Sequence, residues 1–187
     1  MENTNENAPT TARLAVKWGL ILGLVSVIYT LIANLSGIPF NPSLSWITTI
    51  FSLAAPAFAI YKGMGEFKDT HEGFMSYGQG LGIGTMMSGV SGVLSSAFSS
   101  IYIAFIDPTF LSRMSESQKE QVFEQWEKQN IPEEQMETMW ESTQQFTAFM
   151  QNPALLFLFG IIASIIGGFI ISLIISAIQR KTKPEFS

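Results

Sequence analysis

The chain has 187 residues and a net charge of −5, with 47% hydrophobic residues against only 13% charged. The length suggests one domain, and so little charge, gathered between four long apolar runs, points to an integral membrane protein, since about a quarter of a globular domain is charged. The lack of cysteine excludes disulfides, thiolate metal sites and cysteine nucleophiles; a single histidine, His71, argues against a histidine-built metal centre, and no basic face suggests nucleic acid.

Residues 1–12 (MENTNENAPTTA) are polar and are expected to be disordered. They lack a basic n-region, and the apolar run that follows is long enough to stay in place as a signal-anchor span. That first span covers residues 14–35, since about 20 apolar residues cross a bilayer core of about 30 Å. Lys17 lies in its first turn and reads as an anchor that snorkels to the headgroups. Residues 36–43 (SGIPFNPS) hold Gly37, Pro39 and Pro42, which break helix and force an adjacent antiparallel span. The second span covers 44–61, with Trp46 and Tyr61 at belt depth and Pro56 as a kink inside it.

A polar connection is expected over 62–77. There Asp69 to Glu72 has the spacing of a capping box, and His71 reads as a solvated side chain. The third span, 78–106, carries the most distinctive pattern in the chain. Gly80, Gly84, Ser88, Gly92, Ser96 and Ser100 recur every four residues and so fall on one face of a helix. Such a small-residue stripe lets two helices approach closely. Gly78 and Gly82 begin a weaker second row. Asp107-Pro108 ends the span.

Residues 109–152 form the one large polar segment, read as two amphipathic helices broken near Ile131-Pro132. Ser115 and Gln118 have capping-box spacing, and Pro132 suits a first helical turn. Val122, Phe123 and Trp126 share one face; Met136, Met139, Trp140, Thr143, Phe146 and Met150 share another. The segment is acidic, with eight glutamates, but it has no calcium-loop spacing. Asn152-Pro153 then supplies an N-cap and first turn for the fourth span, 154–178. Gly160, Ser164 and Gly168 form a second four-residue stripe there, the natural mate for the first; a contact between copies of the chain is the other use for it.

The fold expected is all-α: a four-span transmembrane bundle with an extracytoplasmic two-helix insert between spans 3 and 4. Arg13, Lys17, Lys62, Lys68, Arg180, Lys181 and Lys183 flank one set of span ends. The positive-inside rule therefore places both termini and the 62–77 connection in the cytoplasm, and the chain in the inner membrane.

The segments EGFMSYGQG at 72–80 and FIDPTF at 105–110, set in this four-span layout, resemble the bacterial domain-of-unknown-function 4199 family. The resemblance runs from about residue 14 to 180. It implies the same architecture, and it carries over no active site. No catalytic, cofactor or metal residues are expected; the site residues are the packing stripe Gly80, Gly84, Ser88, Gly92, Ser96, Gly160, Ser164 and Gly168. The partners implied are the lipid bilayer and either another membrane protein or further copies of the chain. The expected function is that of a non-enzymatic structural or interaction component. A small-solute transporter or channel subunit acting as an oligomer is the alternative, although no ionisable residue falls at mid-depth in the spans as read.

Overall fold

The structure is a computed structural model that describes residues 9–150 and 152–182, the side chains of 145–150 excepted. Among the described residues it is helical, with no strand beyond one isolated bridge between Met75 and Lys181. The elements are α1 (Thr11–Leu35), α2 (Ser45–Thr70), α3 (Tyr77–Ile101), a π-helical turn (Tyr102–Ile106), α4 (Phe110–Lys128), α5 (Glu133–Met150) and α6 (Pro153–Gln179). Four helical stretches, Thr11–Leu35, Pro42–Thr70, Tyr77–Ile106 and Pro153–Gln179, are long and apolar enough to cross a membrane.

The start of α1, the end of α2, the start of α3 and the end of α6 meet at one end of the bundle. Three contacts tie them. Lys17 on α1 reaches Glu66 on α2 at 2.7 Å. Gln179 on α6 donates to the carbonyl of Tyr61 at 2.9 Å. Met75 and Lys181 exchange backbone hydrogen bonds of 2.9 Å. This basic end carries Arg13, Lys17, Lys62, Lys68, Arg180 and Lys181. Lys183, and the expected disordered segment up to residue 8, lie outside the described residues; Thr11 and Ala12, read as part of that segment, form the first turn of α1. That turn is capped by Thr10, whose hydroxyl accepts from the Arg13 amide.

The hydrophobic core sits at the basic end. Leu14 and Ala15 from α1, Ile60, Met64 and Phe67 from α2, Met75, and Ile83 and Met87 from α3 are all buried, with Ile171 and Ile175 of α6 packed against them. The central helix is α3, which packs along α6 on one side and α1 on the other.

Several boundaries differ from the sequence reading, each for a physical reason. The expected connection over 62–77 is mostly helix, because α2 runs to Thr70. A helix satisfies its own backbone in water as well as in lipid, so charged residues end the apolar run without ending the helix. At 26 residues α2 is about 39 Å long, more than a bilayer core requires. The expected capping box at Asp69–Glu72 does not form. Glu72 and Gly73 take left-handed φ of 55° and 80°, and the Lys68 carbonyl accepts from the His71 and Gly73 amides, so this is a helix C-terminus. The working box lies at the start of α3: Ser76 accepts from the Gln79 amide, and Gln79 accepts from the Ser76 amide. Ser115 and Gln118 lie inside α4, which begins at Phe110, so the second expected box is absent as well. Pro132 precedes α5 rather than joining its first turn. Asn152 and Pro153 do occupy the N-cap and first position of α6.

At the turn end, α4 is rooted on the short segment before α2. The Ser117 hydroxyl donates to the Phe40 carbonyl at 3.1 Å, and the Arg113 guanidinium lies 4.6 Å from the Phe40 ring centroid. Phe110 packs edge-on against both Phe40 and Tyr102. Asp107 holds Thr109 and Arg113 through its carboxylate. Beyond this root α4 meets α5 through the Lys119–Glu137 ion pair and an edge contact between Phe123 and Trp140. Met136 and Trp140 are buried, whereas Met139, expected on the same face, is exposed.

Candidate functional site

The eight stripe residues converge on one interface. Along α3 and α6 the register is antiparallel and constant. Gly80 faces Ser176, Gly84 faces Ser172, Ser88 faces Gly168, Gly92 faces Ser164 and Ser96 faces Gly160. Each glycine on one helix meets a serine on the other. A Cβ on Gly84 or Gly168 would overlap the facing hydroxyl, and one on Gly92 would sit 2.7 Å from the Ser164 Cβ. The fit therefore needs hydrogen at these positions. Two hydrogen bonds lock it: Ser164 Oγ to the Ser88 carbonyl at 2.7 Å, and Ser100 Oγ to the Pro153 carbonyl at 3.2 Å. By contrast a Cβ on Gly78, Gly82 or Gly167 would meet nothing within 4 Å, so the second row lies outside the contact.

Sequence reasoning stopped the α6 row at Gly168, but Ser172 and Ser176 continue it at the same four-residue interval and are fully buried. It also passed over α1, where Ala15, Gly19 and Gly23 keep that interval. Here a Cβ on Gly19 would lie 2.7 Å from the Met87 carbonyl, and one on Gly23 would lie 2.8 Å from Leu94. Thus α3 is gripped closely on two sides.

A second polar cluster joins α1 and α2 at the basic end. Both carboxylate oxygens of Glu66 accept from Lys17, at 2.7 and 2.9 Å, and one accepts from Trp18 Nε1 at 2.8 Å. Lys17, read from the sequence as a snorkelling anchor, is thus an ion-pair partner of Glu66. Glu66 escaped the sequence reading because it stood in a segment taken as a connection; the helical spacing of Ile60, Met64 and Phe67, which carries the helix past Tyr61, was the available signal. His71 stacks on Phe67 at 3.9 Å between centroids, with Nδ1 2.8 Å from the Phe67 carbonyl, so it closes the C-terminus of α2.

Toward the turn end the bundle opens. Residues 45–58 of α2 contain no buried residue, and α2 leaves α6 beyond the contacts near Ile60 and Met64. The space enclosed by α1, α2, α3 and α6 is a cavity of 690 Å³. Hydroxyls line it from all four helices: Ser26, Tyr29 and Thr30; Thr48 and Ser52; Ser88, Ser91, Ser95, Ser96, Ser99 and Ser100; and Ser164. Pro56 also lies in its wall. No described lining residue carries a charge. Tyr29 donates to Thr48 at 2.9 Å and stacks on Phe51 at 3.7 Å between centroids. With Thr30 this pair is shared with a second cavity of 430 Å³ that reaches Asn34, Pro39 and Phe110 at the turn end. Among the described residues no cluster of three or more His, Cys, Asp or Glu could hold a metal.

Four long apolar helices gathered on a glycine–serine interface define the class: a multi-pass helical membrane protein. The chain belongs to the family described as protein of unknown function (DUF4199), whose model matches residues 17–181. No curated protein and no solved structure matches the chain.

Proposed function

We propose that this protein is an inner-membrane interaction component, non-enzymatic, with both termini in the cytoplasm and the α4–α5 hairpin on the outer face. The orientation is supported by the clustering of basic residues at the end where α1 begins and α6 finishes. The observation that carries the functional reading is the hairpin itself. It is rooted at Phe40 and Phe110, its two helices meet through few side chains, and Glu116, Glu120, Glu124, Glu127, Glu133, Glu134, Glu137 and Glu141 are all exposed. An exposed acidic surface on a rooted arm suits a partner with a basic surface outside the membrane, since complementary charge raises the rate and selectivity of association.

Affinity purification of the full chain from its native membranes is the test. A stoichiometric membrane-protein partner is expected, lost when Glu120, Glu124 and Glu127 are together changed to lysine. Recovery of the chain alone, or only of its own oligomers, in several detergents would overturn the reading. A second reading, a transporter subunit for small uncharged solutes, draws on the hydroxyl-lined cavity; flux above empty liposomes after reconstitution would favour it.

A further inference from the structure

The cavity begins where the apolar core of the bundle ends. Met87 is the last α3 residue in that core, and Ser91 follows it by one helical turn in the cavity wall. Ser91 also lies at the middle of the membrane-length stretch Tyr77–Ile106, and it is 4% exposed. Serine in a membrane helix commonly bonds the carbonyl one turn back, as Ser95 does to Ser91. The Ser91 hydroxyl forms no such bond, nor any other among the described residues. Unlike Ser88 Oγ, which is enclosed against Gly168, it is not sealed within the α3–α6 contact. Ser99, two turns on, lines the cavity and is likewise without a hydrogen-bond partner among the described residues.

An acyl chain in this space would leave both hydroxyls unpaired, which is unfavourable away from water. Water donates as well as accepts, and it is held by about two to four polar partners. Hydroxyls from four helices supply them, and 690 Å³ has room for many waters. The way in for water is at the turn end. The second cavity, of 430 Å³, has Asn34, Ser45 and Thr49 in its wall, at the helix ends beside residues 36–44, where the apolar stretches stop. The two cavities meet at Tyr29, Thr30 and Thr48. There the hydrogen bond from Tyr29 to Thr48 and the stack of Tyr29 on Phe51 draw α1 against α2. Tyr29 thus stands between an outer chamber and an inner one.

We propose that the two cavities form one aqueous vestibule. Water enters it at the turn end, passes the Tyr29–Thr48 contact as its constriction, and reaches Ser91 at mid-membrane, where the apolar core stops it. The lateral side, where Leu53 and Ile170 are 59% and 53% exposed, is apolar and gives water no entry. No described residue of the inner chamber carries a charge, so the vestibule holds water without a site that would draw in ions. The proposal stands apart from whether the hairpin has a partner.

The chain has no cysteine, so single cysteines report cleanly on water. The full chain carrying Ser91→Cys or Ser99→Cys is placed in phosphatidylcholine nanodiscs and treated with hydroxyethyl methanethiosulfonate, which is small, polar and uncharged. It reacts with the thiolate, and a thiol in apolar surroundings stays protonated. Ile166→Cys is the control. Ile166 is 54% exposed, and the α3–α6 register sets it at the depth of Ser91. Both cavity cysteines should react faster than the control. Thr49→Trp, a plug in the outer chamber, should return their rates to that of the control. Tyr29→Phe keeps the ring on Phe51 and loses the bond to Thr48, so it should speed the Ser91→Cys reaction about 3- to 10-fold, the range of one hydrogen bond. Cavity cysteines as inert as Ile166→Cys would overturn the proposal and mean that lipid fills the space. Rates untouched by Thr49→Trp would overturn entry at the turn end, and a rate untouched by Tyr29→Phe would overturn the constriction. Should one cysteine variant fail to fold, the other still decides.

Discussion

The two halves of the bundle are built on different principles. At the basic end four helices close on a continuous apolar core, with Leu14, Ile60, Met64, Phe67, Ile83 and Met87 buried among them. Toward the turn end the same α3–α6 contact continues, through Gly92–Ser164 and Ser96–Gly160, but α2 has moved off and hydroxyls face a cavity. The difference teaches how such a bundle can hold a site without losing its fold. Close backbone approach along α3 and α6 supplies van der Waals contact over the whole length. This leaves α2 packed into the core only where Ile60, Met64 and Phe67 reach it, while its other half leans on α1 through Tyr29, Thr48 and Phe51 and frames a space.

The comparison is most severely tested at Gly84. Its facing hydroxyl on Ser172 and the Ile60 methyl 3.1 Å from the built Cβ leave no room for a side chain. Gly84→Leu should therefore force α3 from α6 and lower stability by about 3 kcal/mol or more, at or above the usual range for overpacking. Thermal unfolding in detergent measures this. Gly82→Leu, two residues away, meets nothing within 4 Å and serves as the control. Equal stability of both variants would break the distinction between an interlocked face and an open one.

A smaller effect is expected at the Lys17–Glu66 pair, which ties α1 to the overhanging end of α2. The side chains are 53% and 32% exposed, so water and salt weaken the attraction. Glu66→Gln should cost about 0.5–1 kcal/mol, and less at high ionic strength. The Trp18 hydrogen bond survives in that variant, since an amide oxygen still accepts. A cost unchanged by salt would mean that packing around Trp18, rather than charge, holds this end.

Much of this was legible in the sequence because lipid leaves a helix few options. Apolar length locates the spans, and a four-residue period of small residues marks a close contact before any partner is known. The period on α6 even ran further than was read, through Ser172 and Ser176. What stayed hidden depends on three dimensions. Whether Gly84 or Gly82 faces a neighbour follows from which side of α3 meets α6, and both lie in four-residue rows. The cavity could not be read, because it arises where α2 diverges, and no local signal in 45–58 reports a missing neighbour. Glu66 was hidden by a reasonable rule, that charge marks a connection, which fails when a helix runs on past its apolar stretch.

The hairpin outside the bundle offers the smallest test, and one that compares it with the bundle directly. Ser88 Oγ and Trp140 Nε1 are the two buried side-chain polar atoms without a hydrogen-bond partner among the described residues. Ser88 Oγ is enclosed against Gly168 in the α3–α6 contact. Trp140 packs instead against Phe123, with its ring edge-on. If its N–H serves no partner, Trp140→Phe removes an unpaired donor and keeps most of the aromatic area, so the hairpin should change by less than about 0.5 kcal/mol or gain. Hydrogen exchange of the α5 amides reads this locally, where global unfolding would not. A loss of 1 kcal/mol or more in their protection would mean that the indole is held by a hydrogen bond, and would give the hairpin a polar anchor of its own.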